Sequence, residues 1–274
     1  MAFQWTHEPG AFLTAGGKRL EYRCFGNRPK HGPVIVMLHE GLGSVALWRD
    51  FPQAIADATG AGVVAYSRAG YGQSDAAELP RPLDYMTREA IDVLPDVLNA
   101  IGAEKYIPLG HSDGATIAAI HGGGVEDFRV RGLILMAPHF FTEPGGLASI
   151  AEARKAFETG DLKAKMAKYH RDPEATFRGW NDAWLHPGFK AWNVADVIDY
   201  LRIPVLAIQG ADDQYGTRAQ IDEIANRSYA PVDVEIIPDC RHSPFIDQPA
   251  ATLAAITEFV LRLNRIEAAE VEIA

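Results

Sequence analysis

Short continuous apolar runs recur along the chain, with longer mixed segments between them. The runs are residues 33–40 (PVIVMLHE), 61–68 (AGVVAYSR), 105–112 (KYIPLGHS), 131–138 (RGLILMAP), 204–210 (PVLAIQG) and 232–240 (VDVEIIPDC). Runs of this length, bounded by glycine, proline or charge, read as strands buried on both faces. Segments near 47–59 and 87–101, and the closing AATLAAITEFVLRLNRI, place apolar residues at helical spacing. Strands alternating with helices predict an α/β fold, a mostly parallel sheet with helices on both faces. Upstream, AFLTAGGKRLEYRCFG alternates apolar and polar residues around Gly16-Gly17, which predicts an opening β-hairpin. The last residues, EAAEVEIA, read as a frayed tail.

Residues 140–200 break the alternation. They hold no strand-like run but several helical ones, interrupted at EPGG, TGD, RDP and HPG. The expected organisation is therefore a core domain of residues 1–139 and 201–274, with a helical lid inserted at 140–200. Three of the five tryptophans, Trp180, Trp184 and Trp192, fall in that insertion. Ligands of such sheets bind beyond the carboxyl ends of the strands, so a lid between two strands should cover that end.

Composition narrows the partners. The chain has 274 residues, 47% hydrophobic and 23% charged, with a formal net charge of -10. An acidic surface repels phosphate backbones, which excludes nucleic acid as an expected partner. No apolar run is long enough to span a bilayer, and the N-terminus lacks the basic start and apolar core of a signal peptide. Cys24 and Cys240 alone imply no disulfide framework, and a cytoplasmic setting is expected. Asp239, Cys240 and His242 match no zinc spacing, and GYGQSD lacks the third glycine of a dinucleotide fingerprint. Neither a metal nor a cofactor is expected.

The chemistry gathers where the apolar runs end. Gly110-His111-Ser112-Asp113-Gly114 is a G-x-S-x-G sequence between a predicted strand and a predicted helix. A serine there can cap the helix, or it can be a nucleophile on a strained turn whose flanking glycines avoid collision. A serine hydroxyl needs a base, and the base needs a third group to fix its tautomer. Asp212 and Asp213 follow the run at 204–210, and His242 follows the run at 232–240. The order Ser, Asp, His is that of α/β-hydrolases.

With these residues in view, the chain resembles the α/β-hydrolase superfamily, in particular its lidded esterase and C–C hydrolase-like branch. LHEGLGS (38–44) is similar to the family's oxyanion loop, SRAGYGQSD (67–75) to its D-x-x-G-x-G-x-S turn, and GHSDG to its nucleophile elbow. GADD resembles the acid turn and RHSPF the loop that carries the base. The resemblance implies Ser112 as nucleophile, His242 as general base and acid, and Asp213 as the orienting carboxylate. It favours Asp213 over Asp212 because relatives carry the acid at the fourth position of G-x-x-D. The backbone N–H groups of Gly41 and Asp113 are the implied oxyanion donors. His39 is expected to be a structural part of the oxyanion loop, and His111 to pack behind the elbow.

Glu40 stands where the family usually has glycine, and Asp113 adds a second carboxylate beside the donors. Both are expected to face away from the oxyanion or to pair with a cation, Arg68 being the candidate. Trp48, His139, Phe140, Phe141, Trp180 and Trp184 are expected to line a largely apolar substrate pocket. The predicted function is hydrolysis of a small to medium carboxylic ester through an acyl-enzyme. A lactonase, an amidase or a C–C hydrolase would use the same triad, and a small-molecule sensor can occupy the same scaffold. Sequence alone does not give the oligomeric state.

Overall fold

The computed structural model describes residues 3–273, with side chains through residue 269. One eight-stranded sheet organises it, in the order β1-β2-β4-β3-β5-β6-β7-β8. The strands are β1 (Ala11–Ala15), β2 (Lys18–Phe25), β3 (Val34–Leu38), β4 (Gly62–Tyr66), β5 (Tyr106–His111), β6 (Leu133–Met136), β7 (Val205–Gly210) and β8 (Val232–Ile237). From β4 to β8 every pairing is parallel, while β1 and β2 pair antiparallel and β2 meets β4 antiparallel. The β1–β2 hairpin turns at Gly16 and Gly17, whose φ values of 55° and 70° suit a two-residue turn.

Strands β3 to β7 are buried on both faces, as their unbroken apolar character requires. One face packs a core that includes Leu94, Leu98, Ile117, Leu135 and Ile221. The other packs Ile55, Met37, Ile134, Ile256 and Phe259. Strand β5 lies between β3 and β6, so whatever follows it stands near the middle of the sheet's carboxyl edge.

Three segments depart from the sequence-based expectation. The helix expected at 47–59 is split into a 3₁₀ turn, Val45–Trp48, and a helix, Phe51–Thr59, by Arg49 at φ 55°. The helix expected at 87–101 begins at Tyr85 and contains a π-helical turn over Glu89–Val93. Pro95 follows that turn and has no N–H to give to the carbonyl four residues earlier, which favours the wider turn upstream. The expected frayed tail is instead helical, because Pro249–Ile273 is one helix. Glu267 ties it to Lys105 and Arg131 through ion pairs.

Between β6 and β7 the chain is helical, with helices Pro144–Thr159, Leu162–Met166 and Pro173–Trp184 and 3₁₀ turns Pro187–Ala191 and Ala195–Tyr200. Its interior is aromatic. Phe157 stacks on Phe177 at 4.0 Å, and Phe189 stacks on Trp192 at 5.0 Å. Among the described residues, no helix is long and apolar enough to cross a membrane.

Candidate active site

Ser112 joins β5 to helix Asp113–Gly124 with φ 53° and ψ -120°, a left-handed conformation that non-glycine residues rarely adopt. Its side chain makes no capping bond to the helix, so the capping role that a serine there could play is not what holds it. The glycines have a steric reason. A Cβ at Gly110 would lie 2.2 Å from the Gly114 carbonyl oxygen, and one at Gly114 would lie 2.1 Å from the Leu38 carbonyl oxygen. The turn therefore packs directly against its own helix and against β3. Its neighbour Asp113 is the first helical residue, so its N–H has no preceding-turn carbonyl to bond. The N-terminal dipole of the helix adds partial positive charge at that point.

The loop after β8 brings His242 to the same cavity as Ser112. Its Nδ1 lies 2.9 Å and 2.8 Å from the two carboxylate oxygens of Asp213. A carboxylate only accepts, so Nδ1 carries the proton and Nε2 is left as the basic nitrogen. Asp213 also accepts from Gln209 Nε2 at 2.8 Å and from the Tyr215 N–H at 2.8 Å. Burial works to raise the Asp213 carboxyl, but the facing His242 and the Tyr215 N–H outweigh it and hold the group ionised. Asp212 is exposed, and its N–H is bonded to the Cys240 carbonyl. The His242 ring is enclosed by Tyr215 at 4.7 Å, His111 at 5.1 Å and His139 at 5.6 Å between centroids. His111 sits behind the turn and donates from Nε2 to the His242 carbonyl at 2.7 Å.

The loop after β3 is braced from below. Fully buried Arg68 donates to the carbonyls of His39 at 2.5 Å and Glu40 at 3.2 Å. The Arg68 N–H is accepted by His39 Nε2 at 3.1 Å, so His39 Nδ1 bears the hydrogen that meets the Glu40 carbonyl at 2.7 Å. Burial and the Arg68 charge keep this imidazole neutral, far below its ordinary pKa. The N–H of Gly41 meets no backbone carbonyl among the described residues. A Cβ at Gly41 would lie 2.1 Å from Trp180 Nε1, so only glycine lets that indole close over the loop. From the insertion, His170 accepts the Gly72 N–H at 3.0 Å and donates from Nε2 to the Leu42 carbonyl at 3.0 Å.

A cavity of about 200 Å³ contains these groups. Gly41, Ser112, Asp113, His139, Trp180, Trp184 and His242 line it. The expectation for three other residues is corrected. Trp48 is 1% exposed and packs against Phe245 at 4.9 Å on the far face of the sheet, because it belongs to the 3₁₀ turn covering that face. Phe140 is fully buried in the core, with its backbone tied to Gln220 and Val194. Phe141 is held in a bridge to Asn193 at the base of the insertion and does not reach the cavity. Residues not foreseen that do line it include Ile150, Gln214 and Tyr215. Tyr215 follows the acid turn by two residues, and that spacing was the available signal. A larger groove of about 840 Å³ at the other end of helix Asp113–Gly124 holds none of these groups.

Neither extra carboxylate forms an ion pair with Arg68, whose guanidinium bonds backbone carbonyls, although its charge acts on both. The Glu40 carboxylate faces His111 Nδ1 at 3.6 Å. Burial would raise it, but attraction to His111 holds it below the ordinary carboxylate value. Asp113 Oδ2 accepts from the Tyr85 hydroxyl at 2.5 Å, and the Tyr85 hydroxyl oxygen in turn accepts from Trp184 Nε1 at 3.0 Å. Burial raises the Asp113 carboxyl, with Arg68 and Tyr85 opposing the shift only in part. His139 is pushed down to about 3, first by burial and then by the adjacent His242.

Comparison with known proteins bears on the fold and the family. A curated proline iminopeptidase of Lactobacillus delbrueckii subsp. bulgaricus is 21% identical over 291 residues, covering 91% of this chain and 97% of its own. The enol-lactonase from Burkholderia xenovorans LB400 superposes with a TM-score of 0.71 at 17% identity, covering 91% of this chain and 99% of its own. A thermophilic esterase from Thermogutta terrifontis superposes with a TM-score of 0.73 at 17% identity, covering 93% and 99%. The sequence profile described as the alpha/beta hydrolase family matches residues 35–256. By that match, and with the sheet order and strand-end residues described above, the chain belongs to the alpha/beta hydrolase family.

Proposed function

We propose that the protein is a serine hydrolase that cleaves small to medium carboxylic esters through an acyl-enzyme. The observation that carries this reading is Ser112 on its left-handed turn, sharing one cavity with a His242 whose Nδ1 is held by Asp213. Ser112 Oγ attacks the ester carbonyl while His242 Nε2 takes its proton. The oxygen, now negative, is met by the N–H groups of Gly41 and Asp113. His242 returns the proton to the departing alcohol, and then takes one from the water that cleaves the acyl-enzyme. Asp213 keeps the imidazole in the tautomer this needs. Residues 140–200 act as a lid, with Trp180 and Trp184 as its inner wall.

The esterase and the enol-lactonase share this architecture, so an open-chain ester and a lactone are the first substrates to compare. The test is release of p-nitrophenol from acetate, butyrate and octanoate esters, with Ser112→Ala as control. Rapid repeated turnover that disappears in the variant is the expected result. A single stoichiometric release would favour a sensor instead. No release, or release unaffected by the substitution, would overturn the ester assignment.

A further inference from the structure

Two acidic residues, Glu40 and Asp113, are among those that line the cavity beside Ser112, and among the described residues no lysine or arginine lines it. Arg68 forms no ion pair with the Glu40 carboxylate, because its guanidinium is bonded to the His39 and Glu40 carbonyls and lies over the Tyr71 ring at 5.0 Å. The Glu40 side chain is 27% exposed, and His111 Nδ1 attracts its carboxylate from 3.6 Å, beyond hydrogen-bond length. The loop itself seats this group, since a Cβ at Gly43 would lie 2.3 Å from Glu40 Oε2. Asp113 is 1% exposed, and its Oδ1 has no hydrogen-bond partner among the described residues. The remaining walls include the rings of Trp180, Trp184 and Tyr215, whose faces attract cations.

A negative charge beside an oxyanion hole opposes the charge that develops there. A neutral substrate would leave that opposition in place. A substrate bringing its own positive charge would remove it and gain a counter-ion. We propose that the cavity accepts a substrate carrying a positively charged amino group close to the scissile carbonyl, with the Glu40 carboxylate as counter-ion and the three aromatic rings as walls. This rests on the acyl-transfer reading above and names its substrate class. The cavity of about 200 Å³ restricts the group to a small amine on a short ester.

Isosteric pairs test it. Methyl 3-aminopropanoate against methyl butanoate places the charge on the acyl side, and acetylcholine against 3,3-dimethylbutyl acetate places it on the alcohol side. The expected result is a kcat/KM about tenfold or more higher for the cationic member of at least one pair. That preference should shrink towards unity in Glu40→Gln and in high salt. Equal or better turnover of the neutral member in both pairs, in the unmodified protein, overturns the proposal whether or not the variant folds. Calorimetric binding of the same esters to full-length Ser112→Ala separates the two readings. Tighter binding of the cationic member without turnover by the unmodified protein would sink the ester hydrolase reading and keep the amine site. Tighter binding of the neutral member would sink the amine site whatever the esters do.

Discussion

Asp213 presents both carboxylate oxygens to His242 Nδ1, at 2.9 Å and 2.8 Å, from a turn whose own N–H groups already hold it. An amide in its place would keep the shape but could present its NH₂ to Nδ1, favouring the wrong imidazole tautomer. Asp213→Asn should therefore lower kcat by about 10³- to 10⁴-fold. The exposed Asp212→Asn should stay within about twofold. Parallel kinetics on p-nitrophenyl butyrate decide it, and equal losses in the two variants would contradict the assignment of Asp213.

Gly114 leaves no room for a side chain. Its added Cβ would meet the Leu38 carbonyl oxygen at 2.1 Å, and that atom is backbone of a central strand, which cannot yield cheaply. Gly114→Ala should cost about 2–4 kcal/mol in urea unfolding and abolish esterase activity in whatever folds. A variant of unchanged stability would show that the turn has more freedom than this packing allows.

His170 links the insertion to both loops below it through Gly72 and Leu42. His170→Ala leaves the buried Gly72 N–H and the part-buried Leu42 carbonyl without partners, at about 1–3 kcal/mol for the group that water cannot reach. We expect faster amide exchange at Gly72, and a rise in KM that exceeds any fall in kcat. Exchange at Gly72 matching the unmodified protein would rule out this anchoring role.

Four buried histidines, His39, His121, His139 and His170, are shifted down, in each case chiefly by burial. A histidine whose folded pKa lies below its unfolded value of about 6.5 binds fewer protons when folded. Its contribution is thus complete above that value and is lost as pH falls below it. Only Glu89 and Asp113, raised mainly by burial, oppose this among the carboxyls with shifts. Thermal unfolding should show a steady fall in Tm from pH 7 to pH 5. A flat profile over that interval would mean these imidazoles protonate without resistance in the folded state.

Much of this was legible along the chain, because strand burial and tight turns are local in origin. The apolar runs at 33–40, 105–112 and 204–210 became β3, β5 and β7, since a strand covered on both faces has no polar face to show. Ser112 between Gly110 and Gly114 announced a turn too close-packed for a Cβ. What lay beyond reach depended on which surfaces meet. Trp48, Phe140 and Phe141 look from the sequence as suited to a pocket as Trp180 and Trp184 do. Their side of the sheet, and the fold of the insertion, put them elsewhere. Arg68 and Glu40 carry opposite charges near the same loop, yet the terminal nitrogens of the guanidinium are taken by two carbonyls instead. Identity and order of residues fixed the strands, the turn and the candidate triad. Only tertiary packing decided which aromatic rings face the cavity and which carboxylate stands there without an arginine or lysine ion pair, because both follow from contacts between segments far apart in sequence.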